Sequence, residues 1–94
     1  MIELELMRKK IDEIDDKLLA LFKERLEVSK KIGSLKKKYK MAIFDPQREQ
    51  EIIDSCTQNI NEDEKIYIEK FLRNLMDISK EVQSKWQRDR KSVV

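Results

Sequence analysis

The sequence predicts an all-α fold of three helices, the first very long, paired with a second copy into an intertwined homodimer. Three observations carry this. Only one Gly and one Pro interrupt 94 residues, so few positions break a helix. Charged residues make up 43% of the chain yet nearly cancel, 21 Lys+Arg against 19 Asp+Glu, as solvated helix faces do. Apolar residues recur at alternating steps of three and four, the period of a buried helical stripe.

The first segment, about residues 4–39, places Met7, Ile11, Ile14, Leu18, Leu21, Val28, Ile32 and Leu35 on one seam. Such a helix runs for about 50 Å. It cannot fold back within so small a domain, so its seam is expected to pair with a second copy of itself. Arg25 fills the one gap in the seam. A buried guanidinium without a partner costs on the order of several kcal/mol, so either a nearby carboxylate or an anionic ligand is expected to meet it.

The second segment, about residues 46–59, opens with Asp45 as N-cap and Pro46 at the first helical position. Glu49 heads an inward stripe continued by Ile52, Ile53, Cys56 and Ile60, with Arg48 beside it in the first turn. Cys56 reads as a small core residue. Asn61 then caps a third segment, about residues 62–88, with Glu64 completing a pattern like a capping box. Ile68, Leu72, Leu75, Val82 and Trp86 form its core face. Ser79 and Gln83 fall on or beside that stripe, where polar side chains hydrogen-bond something. Residues 89–94 are expected to fray, and 1–94 to form a single domain.

Composition narrows the function. The chain has no His, which removes the commonest general base and metal ligand; no metal is expected. A single cysteine fits a reducing compartment, and no signal peptide or apolar run of the roughly 20 residues a membrane span needs is visible. The expected setting is cytoplasmic, without a membrane partner. Balanced charge argues against nucleic acid. The residues that break the apolar pattern or head an inward face are Arg25, Glu49, Ser79 and Gln83. Lys36 joins them, three turns after Arg25 and on a similar side. Such a set suits a small polyanion with hydroxyl and ether oxygens.

These residues carry a resemblance. Met7-Arg8-Lys9-Lys10-Ile11-Asp12-Glu13-Ile14-Asp15 is similar to the opening of the all-helical chorismate mutases. Leu18 to Arg25, Ile32 to Lys36, Asp45-Pro46-Gln47-Arg48-Glu49 and the Ser79/Gln83 pair follow in the family's order and spacing. The resemblance spans nearly the whole chain. It implies a monofunctional isomerase that rearranges chorismate to prephenate in aromatic amino-acid biosynthesis, with no cofactor. Residue by residue, it implies that Arg25 and Arg8 bind the two substrate carboxylates. Lys36 would bind a carboxylate oxygen and the ether oxygen, and Gln83 would donate to the ether oxygen. Glu49, helped by the Asp45 backbone, would hold the ring hydroxyl, while Arg48 and Ser79 support carboxylate binding. Ile43 and Phe44, before Asp45, depart from the family pattern.

Geometry adds one point of its own. Arg8 lies 17 residues before Arg25, about 25 Å along one helix, so it cannot reach the Arg25–Lys36 region of its own chain. In an antiparallel pair of first helices it reaches that of the other, making the sites shared. Two other readings stand beside the mutase. An isochorismate pyruvate lyase uses a similar helical dimer, but the Arg48-Glu49 pair argues for the mutase, because the lyases tend to lack that Glu. A non-enzymatic dimerisation module would surround Arg25 with salt-bridge partners.

Overall fold

A computed structural model describes the backbone of residues 1–92 and the side chains of residues 1–87. The described residues form three helices: α1 (Ile2–Lys38), α2 (Pro46–Cys56) and α3 (Glu62–Ser92). The fold class is all-α. α3 packs against both α1 and α2.

Each boundary has a local cause. Glu3 and Glu5 open α1 and Lys36, Lys37 and Lys38 close it, so charge opposes the helix dipole at both ends. The chain then leaves through Lys40, whose φ of 56° is left-handed. Met41 N–H reaches Lys36 O at 2.7 Å and Lys40 N–H reaches Lys37 O at 3.2 Å, the pair of bonds of a Schellman stop. α2 begins where the sequence indicates: the Asp45 carboxylate accepts from Arg48 N–H at 3.1 Å, with Pro46 first in the helix. It ends at Cys56, short of the expected residue 59. Thr57 Oγ1 bonds back to Ile53 O at 2.7 Å, and Asn59 turns left-handed at φ 58°, a conformation Asn tolerates. Cys56 is exposed, correcting its reading as a core residue: the stripe it shares ends with the helix. The Asn61 carbonyl opens α3 by accepting from Glu64 and Lys65 at 3.0 and 3.1 Å. α3 continues through Ser92, past the expected end at 88; residues 93–94 of the expected frayed tail lie outside the described residues.

The fold is long and open, with extents of 57 × 30 × 13 Å and a radius of gyration of 17.2 Å. A compact chain of this length has a radius near 12 Å. Among the described residues, only Ile53 and Met76 are buried apolar side chains. The eight seam residues of α1 are between 37% and 62% exposed. Within one chain the seam has no cover.

α1 meets α3 through a stripe that leaves the seam at Arg25 and continues through Ser29 and Gly33, each four residues on. The small side chains of Ser29 and Gly33 allow a close crossing, and both are buried. A Cβ added at Gly33 would lie 2.9 Å from both Cα and O of Gln83. That is backbone, which cannot swing away. Gln87 Nε2 donates to Gly33 O at 2.8 Å and fastens the same crossing. Gly33→Ala should force the helices apart, costing about 1–3 kcal/mol of stability and lowering turnover, because Lys36 and Gln83 flank the crossing. A thermal melt and a rate measurement on the purified variant check this; an unchanged melt would show that the crossing yields without strain.

Candidate active site

Beside the crossing, α1, α3, the start of α2 and the loop before it enclose a cavity of about 320 Å³. Seven of the eight residues singled out in the sequence line it: Arg25, Lys36, Asp45, Arg48, Glu49, Ser79 and Gln83. Arg8 does not. It sits exposed on α1, about 25 Å from Arg25 along the helix.

Arg25 projects from α1 toward α3. Its Nη1 donates to Leu75 O at 3.2 Å and to the Ser79 hydroxyl. Ser29 Oγ also donates to Ser79 Oγ, at 3.1 Å. Ser79 therefore orients Arg25 as an acceptor. Among the described residues, no carboxylate pairs with Arg25. Its partners are neutral, so they fix the guanidinium without offsetting its charge.

Lys36 reaches across to the loop, donating from Nζ to Ile43 O at 2.7 Å. That bond uses one of its three N–H groups and holds Ile43 against the cavity. Gln83 is buried at 6% exposure, and its Oε1 is buried with no hydrogen-bond partner. A buried amide oxygen left unpaired costs about 1–3 kcal/mol, so the side chain holds unused bonding capacity. A half-turn of the amide exchanges its donor and acceptor ends in nearly the same space. Arg48 lies at the rim, its Nη1 3.7 Å from Glu51 Oε2 on a largely exposed pair.

Glu49 is engaged by a residue that sequence reasoning passed over. Lys80 Nζ lies 3.0 Å from Glu49 Oε2 and 3.3 Å from Asp77 Oδ1, and sits over the Phe44 ring at 4.7 Å. The hydrogen bond to Glu49 raises the Lys80 ammonium above the ordinary lysine range, against the opposing effect of burial. A signal was present: Met76, Ser79, Lys80 and Gln83 follow the i, i+3, i+4, i+7 spacing of one helix face. Ser29 and Gly33 were also missed, because attention to the a/d seam hides the second stripe of α1.

Four cations (Arg25, Lys36, Arg48, Lys80) and two carboxylates (Asp45, Glu49) line the cavity, a formal surplus of two positive charges. Val28, Ile32, Ile43, Ile52 and Met76 supply apolar wall. No group of three or more His, Cys, Asp or Glu among the described residues could hold a metal ion. No described helix is long and apolar enough to cross a membrane.

Fold and cavity together define an all-helical protein with a cationic cavity beside two crossing helices. Comparison with known proteins makes this specific. A family model for chorismate mutase type II matches residues 7–84, and the chain belongs to that family. It is 38% identical over 84 residues to the chorismate mutase of Methanocaldococcus jannaschii, covering 85% of this chain and 83% of that protein. It is 44% identical over 54 residues to the bifunctional chorismate mutase/prephenate dehydratase of Aquifex aeolicus, covering 57% of this chain but 15% of that longer protein. The solved structure of a conserved hypothetical protein from Pyrococcus furiosus superposes with a TM-score of 0.75 at 31% identity, covering 88% of this chain and 97% of that one.

Proposed function

We propose that this chain rearranges chorismate to prephenate in the cytoplasm, as a homodimer with two shared sites. The observation that carries the reading is Arg25, anchored by neutral acceptors and aimed into a cavity with surplus positive charge. A dimerisation module would have matched that charge with a carboxylate of its own.

The reaction breaks a C–O bond as a C–C bond forms within one molecule. It needs neither a nucleophile nor proton transfer. Protein groups act by holding the compact conformer and by stabilising negative charge that grows on the ether oxygen. Arg25 grips one carboxylate with two donors in a plane. Lys36 and Gln83, both on the cavity wall, donate to the ether oxygen, Lys36 through N–H groups its loop bond leaves over. Glu49 accepts from the ring hydroxyl.

A second copy is required to finish the site and the fold. The accessible surface is 8121 Å², against about 5,800 Å² for a compact monomer of this mass. The excess is of the size obligate dimers bury. Pairing the α1 seams antiparallel would bring the partner's Arg8 to the second carboxylate. Light scattering on the purified chain should return a dimer; a fully active monomer would overturn the shared site. Activity itself is tested by loss of chorismate absorbance with prephenate as product. Salicylate and pyruvate from isochorismate, with chorismate untouched, would establish a lyase instead.

A further inference from the structure

We infer that Lys80 is a positioning residue: by holding Oε2 of Glu49 it sets the direction in which that carboxylate presents Oε1 to the substrate hydroxyl. The inference rests on the role proposed above for Glu49.

Lys80 lies within the α3 stripe, between Ser79 and Gln83 on the cavity wall. Three elements fix its ammonium: Glu49 on α2 at 3.0 Å, Asp77 one turn earlier on α3 at 3.3 Å, and the Phe44 ring of the loop at 4.7 Å. The Asp77 side chain is 67% exposed, whereas Lys80 and Glu49 are 29% and 20% exposed in their pair. Solvent screens the Asp77 contact, so Glu49 is the dominant partner.

This distinguishes Lys80 from Arg25 and Lys36. Arg25 and Lys36 bond to neutral oxygens and keep their charge for an anion; Lys80 spends its charge on a carboxylate. A Glu side chain has three rotatable bonds, and a first helical turn alone leaves its carboxylate free to swing. With Oε2 held, Oε1 is the oxygen left to accept. Misplacing such a group by about 1 Å can cost up to 100-fold in rate.

The test compares wild type, Lys80→Met, Lys80→Arg, Glu49→Ala and the Glu49→Ala/Lys80→Met double variant by steady-state kinetics with chorismate. Lys80→Met should lower kcat about tenfold with KM changed less than threefold, and Lys80→Arg, which can pair with a carboxylate, should recover most of the loss. In the Glu49→Ala background, which leaves no side-chain oxygen for the ammonium to hold, Lys80→Met should have no further effect. Equal losses in both backgrounds would overturn the inference, since Lys80 would then act on substrate or on the fold. So would wild-type kcat in Lys80→Met. Circular dichroism guards against misfolding; should Lys80→Met lose helix, Lys80→Gln, of similar length, replaces it. A wild-type protein inert toward chorismate would remove the assigned reaction and the inference with it; an active wild type with an indifferent Lys80 would remove the inference alone.

Discussion

Lys36→Ala should lower kcat by about 100- to 1000-fold, the cost of losing one preorganised donor to a developing oxyanion. KM should change far less, because the ether oxygen acquires its charge only in the transition state. Lys36 also holds Ile43 O at 2.7 Å, so part of any loss could come from a loosened loop. Steady-state kinetics separate the two. A loop effect spreads into substrate binding and the thermal melt, while a lost donor falls on kcat. A variant with unchanged kcat and raised KM would show that Lys36 binds the ground state only.

The second large effect concerns Arg8. Arg8→Ala and Arg25→Ala, purified separately, should each be nearly inactive, because each dimer then lacks one guanidinium at both sites. Unfolding the two together and refolding at equal concentration should restore about a quarter of wild-type activity. Random pairing makes half the dimers mixed, and each mixed dimer has one site with both arginines intact. The distance keeps both arginines from serving one chain's cavity: 17 residues of helix separate the two positions, about 25 Å, and Arg8 is absent from the cavity lining of its own chain. A mixture no more active than its components would show that the arginines serve one chain's site or none.

Much of this could be read without coordinates. The scarcity of helix breakers and the three-four spacing define the long α1 and its seam. Asp45-Pro46 marks the start of α2, where the Asp45 carboxylate caps Arg48 N–H. Arg25 and Glu49 were conspicuous because each puts charge where the pattern calls for apolar side chains, and both line the cavity. Lys80 escaped notice because a lysine on a helix is ordinarily solvated, and only the approach of α2 brings Glu49 to it. Cys56 kept the apolar period of α2 yet is exposed, since the turn through Thr57 and Asn59 ends the helix beneath it.

By itself, the sequence determined what depends on spacing along one chain: three helices, the seam, the Asp45 cap, and which charges stand out of place. Helical geometry repeats every 3.6 residues, so such features follow from position alone. Tertiary structure decided which side chains meet across helices: Ser79 under Arg25, Lys36 on Ile43, Lys80 on Glu49, and Gly33 against Gln83. Those meetings depend on how closely two helices approach and at what angle, which small residues such as Ser29 and Gly33 set by what they leave out.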